Sequence, residues 1–564
     1  MKNTRWYALP FILLITLSVC SSAFAWWWPN GTVIKSYSGQ CNEGTQGIPD
    51  GTGGAIIAWV EGCGDGIPVH TIIMIQRIDP DGNTLWDPEG VALSSDTCGL
   101  SYPQLAPDGF GGAIVAWINS GMCGEEGVYA QRIDMNGNIL WPEGGKVICP
   151  EEEYWDWTYR ELYIFSEGGG GAIIAWLKKQ DFGDWNRGAV QKIEANGNIQ
   201  WAPFGVNLGP IDDNYGITTD GAGGAILAFT SWDNDSTKLY VQRVDSMGNK
   251  MWTNAHPDTM GYELDPIYAV CPKIVSDDAG GAVIAWSRTY EQINYVQRIN
   301  STGAIQWTAG GIAVSLESSS HGCPRIMSNG GGETIVMWLD SRGGVYAQKI
   351  SGGGIYLWHP YGYEVCPSQY ICSMTTDCAG GSIVAWPDNR SGNYDIYTQR
   401  VDTDGNILWT EDGVALCTQD SMQYSQAVIA DESAGAIVVW SDKRKSRMQS
   451  ELYALKVDQD GGITYAAVTE TPCVYSLSQN YPNPFNPTTT IAFNLPRAVY
   501  VKLCVYNVKG ELVATLVDHN MMEGRKEFTW TANDNRGRTV SSGIYFYRLV
   551  AGDFVQTKKM ALLR

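Results

Sequence analysis

Three Trp-x-Asp-x-Arg phrases recur in this 564-residue chain: Trp338 with Asp340 and Arg342, Trp386 with Asp388 and Arg390, and Trp440 with Asp442 and Arg444. A carboxylate and a guanidinium so close in sequence can present charge on a binding loop to a polar or acidic ligand. They can also close on each other as an ionic clip, worth about 0–1 kcal/mol at a surface. A second set of acids sits in Asp-x-Asp-Gly-Asn phrases, Asp79 with Asp81 and Asp402 with Asp404. These carboxylates could offer oxygen ligands to calcium, the one cofactor the residues would admit. They equally suit hairpin turns in which Asp bonds its own backbone. The cousin Asn300-Ser301-Thr302-Gly303 keeps the turn without the carboxylates, which favours the turn.

Residues for catalysis are sparse. The five histidines are His70, His256, His321, His359 and His519. None stands beside a Ser or Cys nucleophile in a recognised elbow, and His-Glu-x-x-His is absent. Asp233 and Asp235 could serve a polysaccharide-acting hydrolase or lyase as an acid pair. In so acidic a chain such pairs arise freely, so the reading is non-catalytic. A glycan-active enzyme and a passive envelope protein are the alternatives.

A repeat positions these residues. Each copy has a glycine pair, an apolar run ending in an aromatic, a Gln-Arg strand, and a turn closing on Trp. One copy runs Gly111-Gly112-Ala113-Ile114-Val115-Ala116-Trp117, then Gln131-Arg132, then Gly137-Asn138-Ile139-Leu140-Trp141. The first aromatic recurs at Trp59, Trp117, Trp176, Phe229, Trp286, Trp338, Trp386 and Trp440, at spacings of 48 to 59 residues. The Gln strand starts at Gln76, Gln131, Gln191, Gln242, Gln297, Gln348 and Gln399; the eighth copy has Leu455-Lys456. The closing aromatic is Trp86, Trp141, Trp201, Trp252, Trp307, Trp358, Trp409 and, weakened, Tyr465. Short Val/Ile/Ala/Tyr runs bounded by Gly, Asp and Asn are strands, and Asn/Asp-Gly pairs are hairpin turns. No sustained 3.6-residue period occurs, so almost no helix is expected. Four strands per copy over residues 26–470 predict an eight-bladed β-propeller. The eighth copy lacks a Gly-Val strand after Tyr465, but Trp27 and Gly31-Thr32-Val33-Ile34 supply one at the N-terminus. That strand is expected to close the ring; an open solenoid of the same units is the rival.

Residues 1–25 have a basic start, an apolar stretch from Leu9 to Val19, and Ala23-Phe24-Ala25, a signal peptide cleaved after Ala25. A lipoprotein acylated at Cys20 is the alternative. No later stretch is apolar and long enough for a transmembrane segment. The net charge of −22 resides in the repeats, since residues 474–564 carry a basic excess. Such a body argues against nucleic-acid partners. Export permits disulfides. Cys41–Cys63 and Cys98–Cys123, each flanking one repeat's glycine pair and Trp, are the simplest pairs; Cys41–Cys98 with Cys63–Cys123 is the alternative. Cys366, Cys372 and Cys378 suggest one disulfide and one thiol. Cys504 is expected to stay a thiol.

The repeat ends near Thr471. Residues 471–488, with Asn480-Tyr481-Pro482-Asn483-Pro484-Phe485-Asn486-Pro487, read as a Pro/Asn-rich linker. Residues 489–564 hold six or seven short strands and predict an immunoglobulin-like β-sandwich. The segment from Tyr475 to Arg564 resembles the type A C-terminal sorting domain of the type IX (Por) secretion system. It is also similar to the immunoglobulin-like domain of flagellar hook-capping proteins. The likeness rests on the Tyr481–Pro487 run, Val505-Tyr506-Asn507 followed by Gly510, Ser542-Gly543-Ile544-Tyr545, and Lys558-Lys559. It implies export to the periplasm, then passage through outer-membrane secretion machinery to the cell surface or medium. Asp79 to Trp86 resembles the tryptophan-docking motif of eight-bladed quinoproteins, with Asp and Gly one residue closer. It also resembles the Asp-box of sialidases, with one residue more between Gly and Trp. On this reading the protein is an extracellular propeller for glycan or surface-protein binding or adhesion.

Overall fold

The computed structural model describes Trp27 and residues 31–563, except 36–43, 64–69, 95–96, 121–125, 151–156, 181–185, 213–214, 234–235, 253–261, 266–267, 317–319, 369, 371–372, 445–450, 464–474, 481, 522–523 and 553. The signal peptide with its cleavage site, Cys41, Cys123 and Tyr465 thus lie outside the described residues. The regular structure among the described residues is all strand, with no helix.

The repeats form eight small antiparallel sheets, seven with four strands and one with five. The seventh is typical: Ser373–Thr376, Ser382–Asp388, Asp395–Val401 and Val414–Cys417, paired in that order. Its second strand reads Ser-Ile-Val-Ala-Trp-Pro-Asp and is buried almost throughout, because neighbouring sheets cover both its faces. The glycine pair has a steric cause. A Cβ on Gly381 would stand 2.0 Å from the Val401 carbonyl, and one on Gly112 2.1 Å from that of Ile133. In the hairpin, Gly405 combines a positive φ with close approach to the Tyr363 ring, which only glycine allows.

The recurrent glutamine is structural. Gln399 is fully buried; its Nε2 donates to the Thr410 carbonyl at 2.7 Å, and its Oε1 accepts from the Arg400 and Trp409 amides. The same pattern holds at Gln131 and Gln297, so this residue pins each third strand to its closing Trp. The Trp then reaches the next sheet. Trp409 Nε1 and Arg400 Nη1 share the Gln459 carbonyl, each at 3.0 Å.

Thr32–Lys35 pairs antiparallel with Glu451–Val457 and completes the last sheet. Most first strands touch those of neighbouring sheets, and Gln46–Pro49 of the first sheet touches Gln423–Ala430 of the last.

The C-terminal domain is immunoglobulin-like. A three-stranded sheet (Ser476–Leu477, Thr489–Leu495, Gly524–Trp530) faces a four-stranded one (Leu512–Met521, Val499–Asn507, Gly543–Ala551, Phe554–Leu562). Of the linker expected over 471–488, the described residues from 475 on belong to the sandwich instead. Leu477 and Phe485 lie in the sandwich core with Ile491 and Leu562. Phe485 exchanges backbone hydrogen bonds with Ala561 and Leu563, and the Asn480 amide donates to Tyr547 Oη. Pro residues 482, 484 and 487 cannot donate to a ladder, so this stretch closes the sandwich as an extended edge rather than a strand. Lys558 of the last strand lies over the Phe110 ring of the second repeat, 5.4 Å from its centroid.

Candidate functional site

The three Asp/Arg phrases fold as clips. Asp340 Oδ2 accepts from Trp338 Nε1 at 2.8 Å and from Arg342 Nη2 at 2.7 Å, while Oδ1 takes the Arg342 amide and Nε. The guanidinium packs on Tyr346, 3.7 Å from its ring centre. Asp388/Arg390 on Tyr397 and Asp442/Arg444 on Tyr453 repeat the arrangement. Burial pushes the Asp388 carboxyl up. Hydrogen bonds from Arg390 and Trp386 more than offset it, leaving the group below the usual carboxylate range. Each guanidinium is held between a carboxylate and a ring, so a further anion would have to break the pair. The fifth sheet builds the same clip from other sequence: Arg288 stacks on Tyr295 and bonds Asp265, which also accepts from Trp286 Nε1.

The turn carboxylates are also engaged. Asp79 Oδ1 accepts the amides of Asp81 and Asn83, and Oδ2 accepts Asn83 Nδ2. Asp402 does the same with Asp404 and Asn406. Burial and then the Asp79 charge push the Asp81 carboxyl up. Among the described residues no group of three or more His, Cys, Asp or Glu is placed to hold a metal.

A second Asp–Arg set was not singled out in the sequence. Asp108 Oδ1 caps the Phe110 and Gly112 amides, and its Oδ2 binds Arg132, whose Nη1 reaches the Ala195 carbonyl of the next sheet. Asp50/Arg77, Asp220/Arg243, Asp277/Arg298, Asp377/Arg400 and Asp431/Lys456 repeat it, each acid buried. The signal was an Asp four residues before the second glycine and a cation directly after the Gln position.

The sulfur chemistry is partly described. Cys271–Cys323 is a disulfide between the fifth and sixth repeats. Cys378 is disulfide-bonded, while Cys149, Cys366, Cys417 and Cys504 remain buried thiols. The expected Cys41–Cys63 and Cys98–Cys123 pairs, and the side chains of Asp233 and Asp235, fall outside the described residues.

His321 sits beside the Asp340–Arg342 clip of the sixth sheet. Its Nδ1 accepts the Asn294 amide at 3.1 Å, so the ring proton is on Nε2, 3.7 Å from Asp340 Oδ2. Burial pulls the imidazole down, Asp340 offsets part of this, and Arg342 adds to it, leaving a pKa of about 4.

Two surfaces keep polar or aromatic groups available. Tyr370, Tyr394 and Tyr424 form a tyrosine step between the seventh and eighth repeats, with the first two hydroxyls 2.7 Å apart. Tyr370 and Tyr424 are exposed, as sugar-stacking rings must be. The other is a cavity of about 510 Å³ lined by the first strands of seven of the eight sheets, with Gln46, Tyr163, Lys273, Arg325 and Ser373 on its wall.

No curated protein matches the chain. Similar solved structures include a protein of unknown function from Dyadobacter fermentans (9% identity, TM-score 0.32, 53% of this chain and 94% of that one). PorZ of Porphyromonas gingivalis, a surface component of the type IX secretion system, aligns at 12% identity and TM-score 0.24 over 94% of this chain and 82% of that one. An exo-β-1,3-galactanase of Phanerochaete chrysosporium aligns at 9% and 0.28 over 83% of this chain and 96% of that one. At such scores these likenesses carry no argument about this chain. The FlgD Ig-like domain family matches residues 480–553, most of the C-terminal sandwich.

Proposed function

We propose that the eight sheets form a closed eight-bladed β-propeller and that the protein is a secreted or cell-surface binding protein without catalytic activity. The carrying observation is the cavity between the first strands: its wall presents polar and cationic groups, whereas the repeated Asp/Arg pairs are spent on each other. The pairing of Thr32–Lys35 with Glu451–Val457 supports closure, since it removes an open sheet edge. The ligand is a glycan or a surface protein, taken at the cavity or on the tyrosine step. Export through outer-membrane machinery, guided by residues 475–564, is supported by the motif run from Tyr481 to Lys559 and by the FlgD-like match.

A binding screen of the mature chain against glycans and envelope proteins, with and without calcium, tests this reading. Each bound polysaccharide is also assayed for cleavage. Saturable binding without cleavage is expected. Cleavage overturns the non-catalytic reading, and no binding at all leaves a packing role in the envelope.

A further inference from the structure

Lys273 and Arg325 hold the same place on neighbouring sheets. Each stands three residues before the end of its first strand, Lys273 opposite Ala285 and Arg325 opposite Met337. Gln46, Tyr163 and Ser373 hold that place on other first strands. One ring of side chains therefore runs around the cavity wall, and its polar members are cations or hydrogen-bond donors.

This ring departs from the rest of the molecule in two ways. The chain is acidic, at −22, and its repeat cations are matched to carboxylates. Among the described residues, Lys273 and Arg325 form no ion pair with any of them. Lys273 is half-buried, and its ammonium is pulled down by that burial and then by repulsion from Arg325; the Glu161 charge offsets part of this. Tyr163, raised to about 12 by burial and then by Glu161, stays protonated and able to donate. Two like charges left adjacent on a cavity wall cost stability, unlike the clips.

We infer that the cavity binds an oxyanion-bearing ligand, a carboxylated sugar, with its acid group between Lys273 and Arg325. Tyr163, Gln46 and Ser373 donate to the remaining oxygens. About 510 Å³ suits a ligand of one or two sugar rings. The inference rests on the binding reading above and names its site and ligand class.

The mature chain is titrated calorimetrically with glucuronate, glucose and inorganic sulfate, and its melting temperature is followed with each. Glucuronate is expected to bind at least about tenfold tighter than glucose. Binding should weaken with salt, and sulfate should also raise the melting temperature. Lys273→Met should weaken glucuronate at least about tenfold while raising the ligand-free melting temperature by about 2 °C, because a half-buried cation repelled by Arg325 is lost. Arg325→Gln, at an exposed position that leaves the fold intact, should weaken it similarly. Equal binding of glucose and glucuronate, no binding of either anion, or indifference to both substitutions overturns the inference. If the wider screen finds ligands that ignore both substitutions, the binding function stands and this site falls. If glucuronate binds but the screen yields no ligand, the site stands and the wider function falls.

Discussion

The Trp27 indole donates to the Pro80 carbonyl at 3.1 Å, across 53 residues. Trp86 makes the matching bond to Met135, Trp141 to Ala195 and Trp409 to Gln459. Trp27 thus serves as the closing tryptophan of the last sheet, the role for which Tyr465 stood in sequence order. Its ring packs where Gly82 leaves room, as Trp86 packs at Gly137.

Removing that indole should open the array at one seam. Trp27→Ala is expected to cost about 3–5 kcal/mol, the usual range for a buried Trp. It should also raise hydrogen exchange in Thr32–Lys35 and Glu451–Val457 before other strands. Trp141→Ala, at an internal junction, should cost a similar amount with exchange raised around the second and third sheets instead. Equal protection of both seams in both variants would rule out closure through Trp27.

The clips predict a separation of stability from binding. Asp442 is fully buried on its side chain and holds Trp440 Nε1, the Arg444 amide and the Arg444 guanidinium. Asp442→Ala takes the carboxylate from a largely buried Arg444, which keeps Cys417 Sγ and the Tyr453 ring, and should destabilise by about 3 kcal/mol. Ligand affinity should stay within about twofold, because the charge was never available to a ligand. A large loss of affinity in a folded variant would return Asp340, Asp388 and Asp442 to the binding face.

How much was legible follows from where each partner lies. Sheet count and hairpin positions were readable because an antiparallel hairpin closes locally; Asp402 to Asn406 contains all the atoms its turn needs. The closing strand was readable because Trp27 to Gly31 copies the Trp86 to Gly90 spacing. The Asp265–Arg288 clip was not, since its partners come from different strands 23 residues apart and share no phrase with Asp340–Arg342. The Lys273–Arg325 ring was hidden more deeply. Apart from Gln46 and Gln104, first strands carry no shared residue at that position, and only register aligns Lys273 with Arg325.

The Pro/Asn run gives a further test. Phe485 is 2% exposed and packs against Trp530, with ring centroids 5.7 Å apart. Were residues 475–488 a tether, Phe485→Ala would be silent. As part of the core it should cost the sandwich about 3–5 kcal/mol. Calorimetry should then show an earlier transition for the C-terminal domain while the repeats melt as before. An unchanged thermogram would restore the linker.

Acid should weaken the fold through His321. The imidazole has a pKa of about 4 in the native protein, against about 6.5 in an unfolded chain. Between those values the unfolded state binds more protons, so stability rises with pH and is lost as pH falls from 6.5 toward 4. The full effect is about 3 kcal/mol, at 1.36 kcal/mol per pKa unit. Carboxylates such as Asp388, depressed in the native state, also lose stability in acid, which makes the difference between variants the informative quantity. His321→Asn keeps an acceptor for the Asn294 amide but does not titrate. Denaturant titrations from pH 8 to 4 should show the wild-type midpoint falling more steeply than the variant's below pH 6.5, with the curves parallel above pH 7. Parallel curves throughout would place the His321 proton equilibrium outside the folding transition and the imidazole in contact with water.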